Sequence, residues 1–204
     1  MNKNEEVHEL LKAAQTSAPK NLEVRAALTH FLIGKQLVKP AKDFVVETLK
    51  NVDGHDVYSH CALGWIQFHT ARENRDASQK GQEERRRGYQ RATEFYERAL
   101  QLDERCAFAA QGLAIITAED VLSALRPVMS SSQEESARRL ATARDALEIF
   151  AKVRECINDP SVYINMGHCF FVREEFDRAI ESVSHIPLFL LIVTQNIIHS
   201  TKRP

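Results

Sequence analysis

Residues 160–183 read Pro-Ser-Val-Tyr-Ile-Asn-Met-Gly-His-Cys-Phe-Phe-Val-Arg-Glu-Glu-Phe-Asp-Arg-Ala-Ile-Glu-Ser-Val. With Pro160 as position 1, Tyr163, Met166, Gly167, Phe170, Phe176, Ala179 and Val183 fall at positions 4, 7, 8, 11, 17, 20 and 24. That spacing predicts a helix, a turn and a second helix. The small residues Gly167 and Ala179 let two antiparallel helices approach closely, while the bulky positions fill the gaps between neighbouring pairs.

The pattern recurs upstream. Counting from Leu22 puts Leu28 at 7, Thr29 at 8, Leu32 at 11, Ala41 at 20 and Val45 at 24, with Thr29 and Thr48 as imperfect members. A frame from Val57 carries Leu63-Gly64 in its first helix. It carries Ala92, Tyr96 and Ala99 in its second, later than a plain repeat would place them. A frame from Ala107 carries Leu113-Ala114, then Ala146, Phe150 and Val153, delayed by a stretch with Pro127 and Ser130-Ser131-Ser132. Ser132 with Glu135 predicts a capping box for the helix that follows. Val7, Leu11, Ala14 and Pro19 fit positions 20, 24, 27 and 32 of a frame beginning before residue 1, so the chain is expected to open inside a half repeat and to be cut from something longer.

A helix-turn-helix period of about 34 residues resembles the tetratricopeptide repeat. That resemblance implies an all-α, right-handed superhelix of antiparallel helix pairs. It has a half repeat at 5–19 and repeats near 22–55, 57–106, 107–159 and 160–183, about nine helices together. The residues assigned to repeat packing are Leu63, Gly64, Ala92, Tyr96, Ala99, Met166, Gly167 and Ala179.

Composition agrees with a helical class. The 204 residues are 44% hydrophobic, enough for a core, and hold only seven Gly and six Pro. A net charge of −1 gives no chain-wide footprint for nucleic acid. Cys61, Cys106, Cys156 and Cys169 lie far apart without a CxxC pair, so reduced, buried thiols are expected rather than a zinc site. The polar start Asn2-Lys3-Asn4-Glu5-Glu6 is unlike a signal peptide, and the apolar run 186–198 is shorter than the roughly 20 residues that span a bilayer.

Candidate chemistry is sparse. Residues 72–91 hold seven basic and four acidic side chains, including Arg85-Arg86-Arg87 and Arg91, a conceivable phosphate contact. The Asp76–Lys80 and Glu83–Arg87 spacings instead predict i,i+4 pairs on a solvated helix, and base-stacking aromatics are nearly absent, with only Tyr89 nearby. His60-Cys61 and His168-Cys169 are adjacent in sequence and so point to different helix faces. Asp53-Gly54 and Asp159-Pro160 read as inter-helix turns. No catalytic, cofactor or metal site is expected. Helix-groove carboxylate clamps use Lys, Asn and Arg at positions 5 and 9, but here those positions hold Ala26 and His30, Cys61 and Trp65, Gln111 and Ile115, and Ile164 and His168.

Particular stretches resemble one family more closely. They are Glu23-Val24-Arg25-Ala26, Ala41 to Lys50, Asp56-Val57-Tyr58 running into Ala62-Leu63-Gly64-Trp65-Ile66, Ala109 to Ala114, Ala143-Arg144-Asp145 with Phe150 to Glu155, and Tyr163 to His168. Over roughly residues 5–183 they are similar, in order, to the large tetratricopeptide scaffold subunit of the RNA polymerase II-associated factor (Paf) complex. The resemblance implies a nuclear protein-interaction scaffold, with the other Paf subunits and RNA polymerase II as partners, serving transcription elongation and histone modification. It implies no membrane and no direct nucleic-acid contact. A generic repeat adaptor and a nucleic-acid module using Arg85–Arg91 are the alternatives.

Partner binding is expected on the first helices, at positions 9 and 12: His30, Ile33, Trp65, Phe68, His168 and Phe171. Some of these are also candidates for completing the core. After Val183 the pattern stops mid-helix, and 184–204 is apolar on all sides. That tail is expected to be non-native repeat sequence or disordered, as read-through of an intron would produce.

Overall fold

Short polar side chains start the helices. Asn21 Oδ1 accepts the Val24 N–H at 3.0 Å, Asp56 Oδ2 that of Ser59 at 3.0 Å, Ser78 Oγ that of Gly81 at 3.1 Å and Asp159 Oδ1 that of Ser161 at 2.8 Å. Each satisfies an N–H that the first turn leaves unpaired. Pro160 follows its cap at the first helical position, where its missing N–H costs nothing.

The computed structural model describes residues 3–118 and 132–184. Among them the elements are α1 (Lys3–Ser17), α2 (Leu22–Gly34), α3 (Val38–Asn51), α4 (Val57–Glu73), α5 (Gln79–Leu102), α6 (Ala107–Ala118), α7 (Ser132–Cys156), α8 (Pro160–Val172) and α9 (Phe176–Ser184), with no strand. Pro127, the side chain of Ser132 in the expected capping box and the tail from 185 onward lie outside the described residues.

The chain divides into two units, Met1–Ala109 and Ala110–Pro204. In the first, α2 pairs with α3. Arg25 meets Thr48 near one end of the pair, and Leu32 shares a cluster with Ala41 near the other, which makes the two helices antiparallel. In α4 and α5, a Cβ built on Gly64 would lie 2.7 Å from the Tyr96 ring and one on Gly88 2.7 Å from Ala71 Cβ, the same antiparallel sense. Ala41, Val45, Ala92 and Ala99 retain no exposed surface, and Leu63 and Tyr96 almost none. Ile66 from α4 joins Leu28, Leu32 and Ala41, so α2, α3 and α4 share one apolar cluster.

In the second unit, Phe150 and Ala146 on α7 and Val162 on α8 are fully buried, and Met166 nearly so. Gly167 faces α9, where a Cβ would stand 2.9 Å from Val183 Cγ2, and Ser182 Oγ donates to the Tyr163 carbonyl at 3.0 Å. Ala179 is half-buried, whereas Ala41 and Ala92 retain no exposed surface.

Two turns show the same backbone solution. Gln36, fourteen residues after Leu22, has φ 59°, and Glu174, fourteen after Pro160, has φ 61°. In each turn the next residue donates back into the preceding helix: Leu37 N–H to Leu32 O at 2.9 Å, and Glu175 N–H to Phe170 O at 3.0 Å. Non-glycine residues seldom adopt this left-handed region, so its occurrence at matching positions reflects a common helix-to-helix geometry.

Ser78 governs the start of the longest helix of the first unit. Replacing it with Ala should lower stability by about 1 kcal/mol, read as a lower urea midpoint with unchanged slope. An unchanged midpoint would show that the cap contributes nothing.

Candidate functional site

The expected partner-binding residues divide by helix and by burial. On α4, Trp65 remains 36% exposed and stacks on His69, one turn later, with ring centroids 4.6 Å apart. His69 Nε2 lies 3.1 Å from Glu73 Oε1, which extends the row by a further turn. Tyr58, two turns before Trp65, is equally exposed, so Tyr58, Trp65 and His69 form one stripe along α4. Phe68 is half-buried and leans on Tyr89 of α5 at 5.7 Å, with the Arg72 guanidinium 5.8 Å above it. On α2, His30 is exposed, but Ile33 packs against two core clusters of the first unit. Ile33 and Phe68 therefore serve partly as core.

In the second unit His168 is exposed, and Phe171 is 63% exposed, touching Phe176 edge-on at 5.6 Å. Elsewhere in this unit, α7, α8 and α9 form an open concavity of about 450 Å³ with Leu147, Met166 and Phe170 in its lining and Arg144, Arg154 and Arg178 among its basic groups. Arg178 stacks over Phe170 at 4.3 Å and pairs with Glu175 at 2.6 Å. No sequence reading named this concavity, since its lining comes from three helices.

The basic segment of α5 is largely engaged within the chain. Arg85 Nη1 donates to the Asn74 carbonyl at 3.1 Å, and Glu83 accepts from Arg86 at 2.9 Å and from Arg87 at 2.9 Å. Those two guanidinium groups hold the Glu83 carboxyl down at about 2. Its pairing is thus complete above the ordinary carboxylate range and is lost only as pH falls through about 2. The Asp76–Lys80 pair does not form. Asp76 precedes α5 and accepts from the Ser78 N–H at 2.8 Å, while Lys80 reaches Glu84 at 3.9 Å.

The two His-Cys pairs split between helix faces. His60 is buried with Nε2 3.1 Å from the Gly54 carbonyl oxygen; His168 is exposed while Cys169 is buried. Among the described residues no group of three His, Cys, Asp or Glu side chains is placed to hold a metal. None of their helices is long and apolar enough to cross a membrane. The expectation of four buried thiols is corrected: Cys169 is buried, Cys156 exposed, and Cys61 and Cys106 lie half-buried and together.

No protein-family model matches the chain. Over 183 residues, 88% of its length, the chain is 33% identical to Tetratricopeptide repeat protein 1 of Schizosaccharomyces pombe. Over 137 residues, 67% of its length, it is 34% identical to RNA polymerase-associated protein CTR9 of Saccharomyces cerevisiae. It spans only 16% and 11% of those two relatives. A crystal structure of a thermophilic TPR protein from Thermus thermophilus superposes with a TM-score of 0.64, covering 88% of this chain and 79% of that one at 14% identity. At that identity the superposition speaks to the fold alone.

Proposed function

We propose that the chain, whose described residues form the all-α fold of antiparallel helix pairs of a tetratricopeptide-repeat protein, is a protein-interaction scaffold without catalytic chemistry of its own. We assign it to a Paf transcription elongation complex in the nucleus, with the other Paf subunits and RNA polymerase II as partners and histone modification among its outputs. The observation that carries this assignment is the 34% identity to the CTR9 protein over 67% of the chain.

Partner segments dock on the first helices of the repeats. The aromatic stripe Tyr58, Trp65 and His69 offers a rigid apolar face with polar edges, suited to an extended or helical peptide. His30 is exposed on α2 of the same unit, while Ile33 and Phe68 are half-buried and serve partly as core. His168 and Phe171 form a second, separate docking surface. A nucleic-acid role for Arg85–Arg91 is disfavoured by the Glu83 pairing and by the backbone duty of Arg85.

Aromatic anchors carry most of the energy of such interfaces. Trp65→Ala should therefore weaken capture of Paf subunits by tenfold or more while helical content and unfolding midpoint stay close to those of the unaltered chain. Undiminished capture by a folded Trp65→Ala protein would remove this face of α4 from the proposal.

A further inference from the structure

Cys61 and Cys106 are 45 residues apart, yet their sulfurs lie 3.5 Å from each other. Cys61 sits in the second turn of α4, and Cys106 immediately precedes α6. The two sulfurs share a hydrogen bond in which either can donate; that bond, with the backbone N–H groups of Ala109 and Phe108, favours a thiolate at Cys106, while burial and Asp103 oppose it. Cys61 is driven the other way, toward the thiol, by that hydrogen bond, by burial and by the charges of Asp56 and Asp103. One sulfur is thus prepared as nucleophile and the other as its proton-bearing neighbour. Both are half-buried, which leaves room for a small oxidant and little for a second protein.

We propose that Cys61 and Cys106 form a reactive dithiol that hydroperoxides convert into an intrachain disulfide. The Cys106 thiolate attacks the peroxide O–O bond, taking one oxygen as a sulfenic acid and releasing hydroxide, which takes up the Cys61 proton to give water. The Cys61 thiolate then attacks the Cys106 sulfur. An S–S bond forms, the S–O bond breaks, and the departing hydroxide leaves as water after protonation by solvent. Two thiols lose two electrons and hydrogen peroxide becomes two waters. A separation of 3.5 Å is already that of reacting atoms poised for displacement, so resolution by Cys61 outpaces further oxidation of Cys106. The product fastens α4 to the residue before α6 and closes a loop around α5, which restricts the unfolded chain.

The test is exposure of the reduced chain to one equivalent of hydrogen peroxide, followed by peptide mapping without reduction. The expected product is a Cys61–Cys106 linked peptide, lighter by two hydrogen atoms and reversed by dithiothreitol, with Cys156 and Cys169 still free. The oxidised chain should also show a raised urea midpoint. Phenylarsine oxide, a trivalent arsenical that bridges paired thiols, should bind one per chain and prevent the link, and Cys61→Ser or Cys106→Ser should abolish that binding. Oxidation of Cys106 to sulfinic acid without a link, links to Cys156 or Cys169, or two unmodified thiols would each overturn the proposal. Those results come from the unaltered chain, so they decide the matter even if a serine variant fails to fold.

Discussion

Gly64→Leu is expected to destabilise the chain by about 2–3 kcal/mol, even though helix propensity alone favours the substitution by about 1 kcal/mol. Space decides the sign. A Cβ at residue 64 would stand 2.7 Å from Tyr96 Cε1 and 2.9 Å from Cδ1 and Cζ, before any of the remaining leucine atoms are placed. The Tyr96 ring is only 5% exposed and cannot swing clear. α4 and α5 must therefore separate along their closest contact. For a chain of this size the melting midpoint should fall by about 6–10 °C. Tyr96→Ala in the same chain reopens the space, so the double variant should be more stable than the sum of the single effects allows. Gly34→Ala is the control, since nothing lies within 4 Å of a Cβ there, and its midpoint should stay or rise. An unchanged midpoint for Gly64→Leu would refute the close contact between the two helices.

Arg25→Ala should cost about 3 kcal/mol, through loss of hydrogen bonds from a buried cation and of the packing around it. Arg25 is 2% exposed. Its Nε donates to Thr48 Oγ1 at 2.8 Å, its Nη1 to the Pro19 carbonyl at 2.9 Å, and its Nη2 pairs with Glu47. The guanidinium plane lies 4.2 Å from the Phe44 ring centroid. One side chain thereby ties the segment after α1 to both α2 and α3. Lysine keeps the charge but has no planar fork to serve three acceptors, so Arg25→Lys should recover only part of the loss. Urea unfolding of both variants checks this; a lysine variant as stable as the parent would show that charge alone suffices.

These residues also mark what the sequence made legible. Gly64 and Gly167 were readable because closeness between paired helices demands a small residue at a fixed offset, and that offset recurs. The same holds for Ala41, Ala92 and Ala146, all without exposed surface. Arg25 was not readable as a buried anchor. An arginine near the start of an amphipathic helix reads as solvated, and its partners come from two other segments, the turn after α1 and the far end of α3. Thr48, an imperfect fit to an apolar position, is buried because its hydroxyl accepts from Arg25 and donates to the Phe44 carbonyl at 2.9 Å.

Among the docking residues, Trp65, His30, His168 and Phe171 are exposed on their helices, whereas Ile33 and Phe68 turn partly inward. That division depends on neighbours. Phe68 meets Tyr89 only because α5 begins at Gln79 and reaches back along α4. His69 carries a local signal, since it lies one turn beyond Trp65 on the same face. The Cys61–Cys106 pair had none, because proximity across α5 is a product of tertiary packing.

Scaffolding within a Paf complex is the central claim, and affinity purification tests it most directly. A tagged protein carrying these residues would be recovered from nuclear extract and its companions quantified by mass spectrometry. The account predicts the other Paf subunits and RNA polymerase II among the most abundant companions. Recovery of a folded bait without any Paf subunit, or its exclusion from the nucleus, would contradict it.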